Sequence, residues 1–293
     1  MKLYQYPVKE DWENILKRPA LDTLSLQSKV RTVLDDVRQN GDAALKNYAQ
    51  QFDGLALHNI AVTGQEMAEA SAQLPGELKQ AIETAAKNIR KFHQRQLQPA
   101  EVIETMPGVL CWRKSVAIEK VGIYIPGGTA PLFSTVLMLA IPAAIAGCGQ
   151  IVLCTPPQKN GKVHPAVLYS AALCGVTHIY KSGGAQAIAA MAYGTETVPQ
   201  VYKIFGPGNQ YVTCAKQLVQ LDGLAIDMPA GPSEVCVLAD DTANAAFVAA
   251  DLLSQAEHGT DSQVLLVTTS EKLAAEVEVQ LACLLYTSPS PRD

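Results

Sequence analysis

From Val109 onward the chain repeats one unit: a short Val/Ile/Leu-rich run, a glycine-bearing loop, then an apolar helical stretch. Val121-Gly-Ile-Tyr-Ile-Pro leads into Gly127-Gly128 and an apolar helix through Ala146. Gln150-Ile-Val-Leu-Cys-Thr precedes a helix over 165–174, and Val176-Thr-His-Ile-Tyr runs into Ser182-Gly-Gly-Ala-Gln186 and a helix over 187–193. Val201-Tyr-Lys-Ile-Phe leads to Gly206-Pro-Gly-Asn209 and a helix over 210–219; Leu224-Ala-Ile-Asp-Met-Pro leads to Ala230-Gly-Pro-Ser233. Glu234-Val-Cys-Val-Leu and Gln263-Val-Leu-Leu-Val-Thr are each followed by a further helix. Strands apolar on both faces and separated by helices bury themselves as a parallel sheet covered on both sides, so the chain reads as α/β. Ligands in such folds lie beyond the carboxyl ends of the strands, and the glycine loops all fall at that end.

The first third reads differently. Residues 1–20, with Pro7, Trp12 and Pro19, form an arm. Residues 21–52 read as helical, with Val30, Val33, Leu34 and Val37 at helical spacing and a break at Asn40-Gly41. A second amphipathic helix spans 76–96 through Leu78, Ile82, Ala85 and Ile89, with His93 at its solvated end. Past Pro107-Gly108, residues 109–116 and 116–120 read as strands. The net charge of -5 and an aromatic content of 6% give no reason to expect nucleic acid as a partner. The most apolar run, Val136 to Cys148, holds Pro142 and Gly147 and is too short to span a bilayer. No signal peptide opens the chain, and seven unpatterned cysteines suit a reducing cytoplasm.

Chemistry concentrates in a few loops. Tyr124 stands beside Pro126 and two glycines that let backbone approach a ligand; Gln186 and Asn209 each follow a glycine turn at a helix start. Together they suit a nucleotide-type ligand, although no Gly-x-Gly-x-x-Gly fingerprint is present. Ser233, after a rigid turn, reads as a positioning group for a polar substrate. Gln255 and His258 share a face on the last turn of an Ala-rich helix whose cap is expected at Thr242. A neutral imidazole there suits zinc, or hydrogen-bonds a nearby carbonyl. Cys148 and Cys154 flank a strand and are candidate nucleophiles for aldehyde chemistry, but no base stands beside them in sequence, so a buried structural role fits both better.

Gly122-Ile-Tyr-Ile-Pro-Gly-Gly, Ser182-Gly-Gly-Ala-Gln-Ala-Ile-Ala, Gly206-Pro-Gly-Asn-Gln-Tyr-Val, Asp227-Met-Pro-Ala-Gly-Pro-Ser-Glu-Val and Leu253-Ser-Gln-Ala-Glu-His-Gly, in this order, closely resemble the histidinol dehydrogenase family. The resemblance implies two incomplete Rossmann-like domains with an N-terminal helical region. It divides the chain into an arm (1–20), a discontinuous domain (21–120 plus 234–282), an NAD-binding domain (121–233) and a foreign tail (283–293). It implies oxidation of L-histidinol to L-histidine through a bound aldehyde, with NAD and zinc, in a cytoplasmic homodimer. Tyr124, Gln186 and Asn209 match NAD-binding positions; Ser233 matches a substrate contact; Gln255 and His258 match zinc ligands that also touch substrate. The family's Glu-His base and its other zinc ligands, an Asp and a His, fall beyond residue 282. The polypeptide as written is therefore expected to be inactive; a non-catalytic nucleotide-binding fragment and a cysteine-dependent aldehyde dehydrogenase are the alternatives.

Overall fold

The computed structural model describes residues 2–17, 23–127, 131–229, 234–256 and 262–287. It forms two compact units, Thr23–Pro229 and Met1–Asp22 with Ala230–Asp293. The short α1 (Lys9–Ile15) belongs to the second of these.

The larger unit opens with α2 (Thr23–Tyr48), kinked at Gly41, whose φ of 50 and ψ of -129 are not helical. The kink falls at the break expected from Asn40-Gly41. Then come α3 (Gly64–Gln73) and α4 (Gly76–Gln94). Helix α3 escaped the periodicity argument, and its signal was the Thr63-x-x-Glu66 capping box, both halves of which form. Next, β1 (Val102–Met106) and β2 (Val109–Trp112) make an antiparallel hairpin around Pro107-Gly108. This corrects the expected strands over 109–116 and 116–120: Pro107-Gly108 is the hairpin tip, and no strand covers 113–119.

The sheet follows. Strands β3 (Lys120–Tyr124), β4 (Gln150–Thr155), β5 (His178–Lys181), β6 (Lys203–Phe205) and β7 (Ala225–Ile226) lie in the order β5-β4-β3-β6-β7, all parallel. The connecting helices are α5 (Phe133–Ala146), α6 (Pro165–Leu173), α7 (Gly184–Tyr193) and α8 (Gln210–Leu221). Alternation along each strand feeds two cores. Ile123, Leu153 and Ile179 join α3, α4, α5 and α6; Tyr124, Cys154 and Tyr180 join α2, α7 and α8. The chain runs outward from β3 to β5, then returns past β3 to β6. Right-handed crossovers in opposite directions put their helices on opposite faces. At such a reversal an α/β sheet is expected to open a crevice, which falls here between the carboxyl ends of β3 and β6.

The sequence expectation grouped residues 21–120 with 234–282. Here α2 to α4 cover the five-stranded sheet itself, because their apolar faces (Leu34 and Val37; Ala70; Ile82 and Ala86) complete its two cores.

In the smaller unit β8 (Glu234–Ala239) pairs in parallel with β9 (Gln263–Thr268). Helices α9 (Ala245–Ala256) and α10 (Glu271–Thr287) pack through Val248, Ala249, Leu252, Leu273 and Val277. Asn244, not Thr242, caps α9: its Oδ1 accepts from Ala246 N at 2.9 Å, while the Thr242 N–H and hydroxyl both donate to Asp240. Helix α10 continues past the expected break at 283 to Thr287, with Leu284 packed on the cluster.

Candidate functional site

Tyr124 ends β3 and is the hub of the crevice. Its ring is 3% exposed, and its hydroxyl accepts the Gly184 N–H at 3.0 Å, at the first turn of α7. Burial pushes the phenol up to about 12, so it stays neutral and serves as an acceptor rather than a base. On the opposite side its carbonyl oxygen lies where a side chain at Gly206 would go. Gly206 also takes a φ of 133, so residue 206 is glycine for two independent reasons. Pro156, after β4, occupies the side-chain space of both Gly127 and Gly183. The loops after β3, β4, β5 and β6 therefore converge.

Gln186 lies on the first turn of α7, 4% exposed, with its Oε1 beside Gly184. Its amide makes no hydrogen bond among the described residues. Among the described residues the buried side-chain atoms without a partner are Ser170 Oγ and Asp227 Oδ1, so the Gln186 amide reaches solvent and is free to meet a ligand. Asn209 is the N-cap of α8: its Oδ1 accepts from Tyr211 N at 3.1 Å and Val212 N at 3.2 Å. That leaves its NH2 group to donate outward. The N-termini of α7 and α8 both open at this edge, and their free amides favour an anion such as a phosphate. The structure thus brings Tyr124, Gln186 and Asn209 to one edge of one sheet.

Two charged residues at this edge were not singled out from the sequence. Lys216, 5% exposed on α8, donates to the Gly206 carbonyl at 2.9 Å and pairs with Asp227. Asp227, just after β7, accepts the Gly206 N–H at 2.8 Å. The available signal was a lone lysine four residues after Val212, on the stripe that Val212, Ala215 and Val219 bury.

Ser233 and His258 lie outside the described residues. Gln255 is half-buried on the last turn of α9, its Nε2 donating to Ser262 Oγ at 3.3 Å, and among the described residues nothing donates to its Oε1. Among the described residues no three His, Cys, Asp or Glu side chains gather as a metal site. Gln255 by itself supplies one amide oxygen toward such a site. Cys154 is fully buried and burial raises its thiol well above the ordinary range; burial raises Cys148 as well. Neither is a thiolate near neutral pH, which removes the physical basis for a cysteine nucleophile at either position.

A family model described as histidinol dehydrogenase matches residues 16–291. Histidinol dehydrogenase of Bacteroides thetaiotaomicron is 64% identical over 277 residues, 94% of this chain and 65% of that protein. The enzyme of Colwellia psychrerythraea is 53% identical over 270 residues, 91% of this chain and 62% of that protein. The crystal structure of histidinol dehydrogenase from Elizabethkingia anophelis matches with a TM-score of 0.91 at 54% identity, covering 97% of this chain and 66% of that one. The chain therefore spans about two thirds of the length of these relatives.

Proposed function

The chain belongs to the histidinol dehydrogenase family, and we propose that the whole protein oxidises L-histidinol to L-histidine through a bound aldehyde, using NAD and zinc, as a cytoplasmic homodimer. The crevice at the carboxyl ends of β3 and β6 is the proposed NAD site, with Tyr124, Gln186 and Asn209 holding the cofactor. The observation that carries this reading is the convergence of the loops after β3, β4, β5 and β6 at the edge where two helix N-termini open.

NAD, when bound, supplies the hydride acceptor for each of the two oxidations. The chain's own contribution is placement. Tyr124 fixes the start of α7 through Gly184 while staying protonated. Gln186 offers an amide donor and acceptor at the start of α7. Asn209 keeps its oxygen on the helix and presents its nitrogen. Ser233 is proposed as a substrate contact, and Gln255 and His258 as zinc ligands that also touch the substrate. No helix among the described residues is long and apolar enough to cross a membrane.

The test is product stoichiometry. The complete protein, given histidinol, NAD and zinc, is expected to release two NADH for each histidine formed. A product that stops at the aldehyde, or no NADH, refutes the assignment.

A further inference from the structure

We propose that Lys216 and Asp227 form a positioning clamp that sets the Gly206–Asn209 loop against the crevice. This rests on the reading of that crevice as the NAD site. Both backbone polar groups of Gly206 are held by this one ion pair: the N–H by Asp227 Oδ2 at 2.8 Å, the carbonyl by Lys216 Nζ at 2.9 Å. The other carboxylate oxygen of Asp227 is buried and takes no well-angled hydrogen bond; its partner is the lysine charge. Asp227 is itself anchored, its N–H donating to Ile204 O at 3.0 Å.

The location explains the device. Strand β6 ends at Phe205, so Gly206 has left the ladder just where its φ of 133 turns the chain toward Asn209. Without Lys216 and Asp227, its N–H and carbonyl would have no strand partner. Charges are an expensive way to stabilise a core, since an apolar pair of similar volume is often as stable or more so. What a charged pair with directed hydrogen bonds adds is a single loop geometry. Asn209 follows three residues later. One ion pair thus registers the proposed cofactor loop.

The discriminating variant is Lys216→Met with Asp227→Asn. It removes both charges, while the Asn oxygen keeps an acceptor for the Gly206 N–H. Expected results are a melting temperature close to that of the unaltered 293-residue protein, NAD binding weakened at least about tenfold, and faster amide exchange across 206–209. A merely structural pair would leave affinity unchanged in a folded variant, and that result overturns the proposal. Should the double variant not fold, Lys216→Arg carries the test. It keeps the charge facing Asp227 but displaces the donor to Gly206, so affinity drops with melting preserved; unchanged affinity again overturns the clamp. If the unaltered protein binds no NAD, the cofactor reading fails by itself. The clamp is then decided by exchange alone: Gly208 and Asn209 amides that exchange faster in the variant than in the unaltered protein support it, and equal exchange refutes it.

Discussion

Gln186 separates binding from stability at a single position. Its side chain makes no hydrogen bond among the described residues, so removing the amide breaks no bond within the protein, while any ligand that answered it loses a contact. Gln186→Met, close in volume and unbranched, is expected to melt close to the temperature of the unaltered protein and to weaken NAD binding at least about tenfold. Thermal melts and an NAD titration on the same preparation check both outcomes. A lower melting temperature with unchanged affinity would show the amide to be a structural group. The cysteines give a second residue-level expectation. At pH 8, iodoacetamide should modify the exposed Cys111 and Cys236 and spare Cys154, whose thiol is fully buried and held protonated. Mass spectrometry before and after denaturation measures this. Labelling of native Cys154 would mean that β4 opens far more readily than its buried core implies.

At the scale of elements, α3 is held by a small polar assembly. Glu66 closes the capping box with Thr63 and accepts from Lys181 at the end of β5 at 2.8 Å. Burial pushes the Glu66 carboxyl up, but the Lys181 and Thr63 hydrogen bonds and the lysine charge outweigh it and hold the group below its ordinary value of 4.5. A depressed carboxylate contributes stability that is complete above its unfolded value and lost as pH falls through the lower folded value. Glu66→Gln is therefore expected to lower stability near neutral pH and to flatten the decline below about pH 4.5, as urea unfolding from pH 3 to 7 would show. An acid limb as steep as before would mean that other carboxylates carry it. The loop after β6 gives a sharper case. Gly206→Ala would set a Cβ against the Tyr124 carbonyl at a φ of 133, costing more than about 2 kcal/mol, so the variant should melt lower and lose NAD binding. The strands of the five-stranded sheet were legible in sequence because both of their faces are apolar. Helix α3 was not, because its stripe is weak and only its cap declares it. The glycine loops and the amides after them were legible as a ligand edge. Lys216 and Asp227 were not, because a buried pair meets only once α8 and β7 are folded side by side.

For the whole molecule, what sequence could not show was which helices cover which sheet. Helices α2 to α4 lie far along the chain from the strands they bury, so local periodicity says that they are amphipathic but not what they face. The five-stranded sheet gains two complete cores from them. The smaller unit has two parallel strands and no described third. Its strand and helix residues Leu238 and Phe247 are 80% and 72% exposed. The 293-residue polypeptide is expected to bind NAD through the larger unit, as titration would show. Its local stabilities should divide in the same way. A two-stranded sheet is marginal, because its outer edges have no ladder partner and its apolar side chains bury little area. A five-stranded sheet covered on both faces opens only with its cores. In native-state hydrogen exchange the amides of β8 and β9 are therefore expected to exchange at least about tenfold faster than those of β3 and β4. Equal protection in the two sheets would mean that the smaller unit unfolds only together with the larger, and that the division between them is not an energetic one.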